Sequence, residues 1–246
     1  MNSPTYKLQK IISHMNVIVT GASRGIGYET VRFLAQEGHQ ILAIARNHKG
    51  LEQLKMTCQQ DFNRAIHILS MDLSSDDFHP LGQALQEFGG VDIVINNAGF
   101  LLNKPFIETS RADWYQMMDI NLISIAELTK YLIPYLKDST IGHIVNISSM
   151  GGFQGSSKFP GLSAYSASKG ALAILTECLA AELSDQSIKV NCLCLGAVNT
   201  AMLEQAFPGY KAPLESHEMA AYIGDFALKA HRYMNGQIIP VTLSNP

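Results

Sequence analysis

The sequence predicts a doubly wound α/β fold: one domain, with a seven-stranded parallel sheet covered by helices on both faces. Three observations carry that expectation. Short β-branched runs alternate with longer amphipathic stretches; the apolar residues within the short runs are nearly continuous; and a glycine-rich turn joins the first run to the first amphipathic stretch. A parallel sheet buried on both faces requires near-continuous apolar strands, and regular β-α alternation produces such a sheet.

The expected strands are NVIVT from Asn16, QILAIA from Gln40, AIHILSM from Ala65, VDIVIN from Val91, GHIVNIS from Gly142, IKVNCLC from Ile188 and QIIPV from Gln237. Between them the amphipathic pattern predicts helices over Gly25 to Glu37, Gly50 to Asp61, His79 to Phe88, Arg111 to Leu136, Ser163 to Ser184 and Ser216 to Lys229. The chain of 246 residues shows no repeat or linker-like composition shift, so residues 1–246 are expected to form a single domain. Two long stretches, about 150–162 and 195–215, read as loops after strands, where ligands bind in such sheets.

Composition narrows the function. Hydrophobic residues at 47% and charged residues at 16% exclude disorder, and no apolar run approaches the roughly 18 residues of a membrane span. A net charge of -3 without a basic cluster lacks the footprint of a nucleic-acid binder or of a polybasic membrane patch, so a small-molecule substrate is the expected partner. Residues 1–14 lack the apolar core of a signal peptide, which points to the cytoplasm. Cys58, Cys178, Cys192 and Cys194 fit neither a disulfide framework nor a zinc site, and no metal is expected. Cys192 and Cys194 share one strand face and read as buried small hydrophobes; the acceptor-like triplet Asn146-Ile147-Ser148 lies in an apolar run and reads as chance.

The glycine turn follows the first strand as Gly21-Ala22-Ser23-Arg24-Gly25-Ile26-Gly27. Gly21 permits a sharp turn, Gly25 and Gly27 remove Cβ atoms where backbone nears a phosphate and helix presses on sheet, and the helix start faces the anion with free N-H groups. Dinucleotide-binding, Rossmann-like folds place an acid at the end of the second strand to hold the ribose 2'-hydroxyl. Here that strand ends Ala45-Arg46-Asn47, with no carboxylate between Glu37 and Glu52. Arg24 and Arg46 suit a 2'-phosphate instead, so NADP(H) is the expected cofactor; the plain alternative is two solvated surface arginines.

Tyr165 and Lys169 stand one helical turn apart near the start of a helix. An ordinary Tyr has a pKa near 10, so service as a base at pH 7 requires a shift of roughly three pH units, about 4 kcal/mol. A neighbouring ammonium is a source of that stabilisation.

With these residues in place, the chain resembles the short-chain dehydrogenase/reductase family over nearly its whole length. The markers occur in order: Thr20-Gly21 to Gly27, Asp72, Asn97-Ala98-Gly99, Asn121, Ser149, Tyr165 and Lys169. The resemblance implies that Asp72 and Leu73 contact adenine, that Asn97, Ala98 and Gly99 line the cofactor, and that Gly196, Val198 and Thr200 follow the sixth strand at its nicotinamide end. It implies Tyr165 as acid/base, Ser149 on the substrate oxygen, Lys169 on the ribose and lowering the Tyr pKa, and Asn121 in a water-linked proton path. Asp72 also reads as an N-cap and Asn97 as a turn residue, and Ser148 is the alternative to Ser149.

Three departures from the family pattern stand out. Ser149 and Tyr165 are three residues further apart than usual, with Ser156-Ser157-Lys158 as the expected insertion; Leu195-Gly196 replaces a Pro-Gly turn; and the tail from Val241 lacks Asp-Gly-Gly. The last favours a homodimer over a homotetramer, paired through the helices that carry Trp114, Leu122, Leu128, Leu172, Leu175 and Leu179. Phe100, Leu101, Leu102, Phe153, Phe159, Met202, Phe207 and Tyr210 populate the expected pocket loops. The expected activity is hydride transfer between NADP(H) and a carbonyl or secondary alcohol of a small to medium, moderately apolar substrate. The alternatives are a 3-oxoacyl-thioester reductase and a catalytically silent dinucleotide-binding sensor or scaffold.

Overall fold

The computed structural model describes residues 14–136 and 138–243, so the readings of residues 1–13 and of the last three positions of the tail lie outside the described residues. Along the chain run β1 (Asn16–Thr20), α1 (Gly25–Gln36), β2 (Gln40–Ala45), α2 (His48–Phe62), β3 (His67–Ser70), α3 (His79–Phe88), β4 (Ile93–Asn96), α4 (Arg111–Met118) and α5 (Ser124–Leu136). They are followed by β5 (His143–Ser149), α6 (Ser163–Glu182), β6 (Lys189–Leu195), α7 (Ala201–Ala206), α8 (Ser216–Lys229) and β7 (Ile238–Val241). The seven strands form one parallel sheet in the order β3-β2-β1-β4-β5-β6-β7. Strand order reverses between β1 and β4, the switch point beside which such sheets bind ligands.

The continuous apolar strands are explained by two cores. Val17, Val19, Ile41, Ala43, Ile93 and Ile95 point to the α1, α2 and α8 side, while Ile18, Leu42, Ile44 and Val94 point to the α3 and α5 side. Each such side chain is almost fully buried, and each Val, Ile or Leu among them stabilises the fold by roughly 1.5–3 kcal/mol.

Two expectations are corrected. The single helix from Arg111 to Leu136 is interrupted: Asp119–Ile123 is a π turn between α4 and α5. Its physical reason is Asn121, whose fully buried amide must find partners on two other elements. The long loop after β6 is not bare, since α7 lies inside it, capped by the Thr200 hydroxyl, which accepts from Leu203 N-H at 3.2 Å.

Buried polar groups tie the sheet to its helices. Asn96 donates to Asn146 Oδ1 at 2.8 Å, and Asn146 donates to Thr176 Oγ at 2.9 Å, so the acceptor-like triplet is inside the sheet. His143 bonds the Ala227 carbonyl at 2.8 Å and Asn191 at 3.1 Å, and burial holds its pKa down at about 4. Cys192 and Cys194 are fully buried beside Ala173, as small hydrophobes are. No described helix is long and apolar enough to cross a membrane.

Candidate active site

The carboxyl ends of the strands open onto a cleft of about 780 Å³. That volume lies within the range of cofactor and ligand pockets, about 300–1,000 Å³. Of the residues expected to bind a cofactor, Gly21, Ser23, Arg24, Gly25, Ile26, Arg46, Asn47, Asp72, Leu73, Asn97, Ala98, Gly99, Tyr165, Lys169, Gly196, Val198 and Thr200 line it, and Gly27 packs just behind the turn.

The glycine turn is built by close approach. Gly21 has φ +67°, and a Cβ there would lie 2.8 Å from Ala98 Cα; at Gly27 it would lie 2.5 Å from the Gly21 carbonyl and 2.4 Å from Asn97 Nδ2. Only glycine lets α1 start this near the sheet. Asn97 holds the same junction, donating to the Thr20 carbonyl at 3.0 Å, while the Thr20 hydroxyl accepts from Asn97 N-H at 3.1 Å and Ala98 N-H at 3.0 Å. Thr20 is a hub that the sequence marked only as part of the turn.

The corner beyond β2 is cationic. Arg24 and Arg46 are exposed there, and Asn47 caps α2 by accepting from Gly50 N-H at 3.2 Å. Asp72 accepts from Ser74 N-H at 3.1 Å, an Asx turn rather than an N-cap, and its second oxygen stands 3.9 Å from Arg46. That pair is solvent-exposed and holds Arg46 only weakly.

At the other end, β5 and α6 bring the polar set together. Both serines line the cleft: Ser148 Oγ donates to the Lys169 carbonyl at 2.8 Å, while Ser149 Oγ accepts from Gly151 N-H at 3.1 Å and keeps its own proton to donate. Asn121 accepts from Phe100 N-H at 2.8 Å and donates to the Phe100 carbonyl at 2.8 Å and to Ser168 Oγ at 3.0 Å. Ser168 in turn donates to the Tyr165 carbonyl at 2.7 Å, so Asn121 positions the loop after β4 against the turn of α6 that carries Tyr165.

Lys169 Nζ donates to the Ile147 carbonyl at 2.8 Å, and burial lowers its pKa to about 8. The Tyr165 hydroxyl is raised rather than lowered: burial dominates, with the Ser149 hydrogen bond acting against it and Cys194 adding to it. The ammonium is turned to the backbone of β5, so in the protein alone the phenol keeps its proton. No sequence signal could have found Ile147, because its carbonyl acts and not its side chain.

The substrate end is apolar. Phe100, Leu101, Phe159, Met202, Phe207 and Tyr210 line the cleft; Leu102 packs behind it, and Phe153 lines a neighbouring cavity instead. Asn103 and Asn199, which the sequence reading passed over, fasten the loops: Asn103 donates to the Ala206 carbonyl at 2.8 Å, and Asn199 bonds Ala212 and Glu215 across the segment after α7. An Asn within a loop, with a side chain suited to bond nearby backbone, is the signal that would have found them.

A parallel sheet with a glycine turn at its switch point and a Ser-Tyr-Lys set beyond it defines a dinucleotide-type oxidoreductase scaffold. The family model described as short chain dehydrogenase matches residues 15–211, and the chain belongs to the short-chain dehydrogenase/reductase family of oxidoreductases. It is 33% identical to carbonyl reductase [NADPH] 2 of Sus scrofa over 196 residues, 79% of this chain and 76% of that one. A short chain dehydrogenase from Shigella flexneri solved with NADP superposes with a TM-score of 0.83 at 28% identity, covering 92% of this chain and 96% of that one. A carveol dehydrogenase from Mycobacterium avium in complex with NAD gives a TM-score of 0.82 at 25% identity, covering 94% and 96%.

Proposed function

We propose that the protein is an NADP(H)-dependent reductase of small to medium, moderately apolar carbonyl compounds. The observation that carries this reading is the placement of the Tyr165 hydroxyl, with Ser149 and Lys169, on a cleft whose neighbouring lining is apolar. A protonated phenol is a ready acid, which suits reduction at neutral pH. Ser149 orients the carbonyl oxygen, Tyr165 gives it a proton, and Asn121 and Ser168 fix the turn that carries Tyr165. When bound, NADP(H) supplies or accepts the hydride. Gly21, Ser23, Gly25 and Ile26 would hold its pyrophosphate, Asp72 and Leu73 its adenine, Lys169 its ribose, and Asn97, Ala98, Gly99, Gly196, Val198 and Thr200 its nicotinamide end. The Thr200 hydroxyl caps α7 as an acceptor and keeps its own proton to donate.

The test is a panel of neutral ketones and aldehydes with NADPH. Turnover of apolar ketones supports the reading; binding of NADPH without turnover of any carbonyl supports the silent sensor. NADPH is expected to bind more tightly than NADH by about 1–3 kcal/mol, the worth of charge-assisted contacts to a phosphate. In a fluorescence titration, Arg46→Ala removes roughly tenfold of that preference; an unchanged preference would count against the assignment of Arg24 and Arg46.

The proposed dimer uses the same helices: Leu128 and Leu172 are core residues and Trp114 packs beside Tyr165, Leu122, Leu175 and Leu179 are half-buried, and Tyr115, Ile123 and Ile174 are exposed on α4, the π turn and α6. Sedimentation at micromolar concentration is expected to show a homodimer that Ile174→Glu dissociates. A monomeric parent protein would refute it.

A further inference from the structure

The loop between β5 and α6 has a second cavity on its far side, about 490 Å³, walled by Phe106, Phe153, Phe159, Pro160 and Leu162. It shares Gly151, Phe159 and Leu162 with the catalytic cleft, so the two spaces are separated by one thin wall. Phe159 is the most exposed part of that wall: it is 57% exposed and meets Phe207 edge-on, with ring centroids 6.3 Å apart. The surroundings are fixed. Ser156, in the inserted segment, donates to the Met150 and Phe153 carbonyls, and Lys158 Nζ donates to the Phe153 carbonyl at 2.6 Å and to Ser156 Oγ at 2.7 Å. Lys104 N-H donates to the Gly161 carbonyl at 2.9 Å, closing the other flank. The only ionisable group lining the cavity among the described residues is Lys158, and it is held by these bonds.

The geometry points to an extended substrate: a ketone whose carbonyl sits at Ser149 and Tyr165 and whose uncharged apolar arm passes Phe159 into the second cavity. Phe159 is then the residue that sets the accepted arm length. This deepens the carbonyl-reductase reading and rests on it. A cationic arm would lose its hydration against phenyl rings and proline with no carboxylate among the described lining residues; the polar groups there are Gln154, Lys158, Ser166 and Ser163, whose Oγ has no partner, and the remaining side chains favour an arm that is apolar along most of its length. An aliphatic arm gains for each methylene it buries.

The experiment uses linear methyl ketones of increasing length with the full-length protein and NADPH. Beyond the length that fills the catalytic cleft, kcat/KM is expected to rise about fourfold per buried methylene, the transfer worth of that group, until the second cavity is full. Ala167→Phe, at a position lining only the second cavity, is expected to abolish the rise for long ketones and leave short ones unchanged. Phe159→Ala is expected to raise kcat/KM for long or branched arms over short ones, with NADPH affinity unaltered. Turnover of short ketones with no length dependence, or equal loss of short and long substrates in Ala167→Phe, would overturn the two-cavity proposal and leave the reductase reading intact. Absence of turnover with every carbonyl would overturn both.

Discussion

Tyr165→Phe is expected to lower kcat by about 100- to 10,000-fold, the usual contribution of general acid-base catalysis, with NADPH affinity nearly unchanged. The substitution removes one oxygen and keeps the ring, which packs with Met117, Leu162 and Ala164. Ser149 retains its hydrogen bond from the Gly151 N-H. Burial raises the phenol above its ordinary pKa, so the protonated form persists throughout the neutral range, and the reductive rate of the parent enzyme falls only when the phenol ionises at alkaline pH. Kinetics of parent and variant with one accepted ketone, paired with an NADPH titration, check the result. A Tyr165→Phe enzyme that turns over within a few-fold of the parent would leave the family assignment standing and remove Tyr165 from the mechanism.

Lys169→Met is expected to damage both cofactor binding and turnover while making the protein more stable. The lysine is 4% exposed, and burial brings its pKa from 10.5 to about 8. The unfolded chain therefore binds more protons between pH 8 and 10.5, so stability climbs as pH rises through that window, and below pH 8 the folded state bears the full cost of the buried charge. That cost is about 3 kcal/mol at roughly 1.4 kcal/mol per pH unit; the variant forfeits the hydrogen bond to Ile147, worth about 1.5–3 kcal/mol for a charged donor. The net gain is about 1 kcal/mol, or a Tm higher by about 2–4 °C for a domain of this size. NADPH affinity of the parent is expected to decline above pH 8, as the ammonium loses its proton, and the variant's affinity is expected to be weaker and flat across that range. Calorimetry together with titrations from pH 7 to 9 tests both halves, and a variant that binds NADPH normally contradicts the ribose role.

Much of the fold was legible because its signal is local. Val17, Ile18 and Val19 are apolar in succession because both sheet faces are covered, and β-branching marks each strand directly. The glycine turn was legible for a similar reason: Gly21 and Gly27 occupy positions where a single Cβ collides with neighbouring backbone. The π turn at Asn121 escaped the helical pattern because its cause is a hydrogen-bonding demand from Phe100 and Ser168, distant in sequence. Helix α7 escaped because six residues give too few turns for periodicity to appear.

The sequence by itself determined the order of elements, the parallel sheet, the cofactor-type turn and the family, since these rest on residue type and spacing along the chain. Tertiary structure alone decided that Ser148 is committed to the Lys169 carbonyl, that Lys169 is turned to the Ile147 carbonyl, and that Phe159 stands between two cavities. Those facts depend on burial and on contacts between segments that only packing brings together, and desolvation, the largest influence on both Tyr165 and Lys169, has no value until the fold has closed around them.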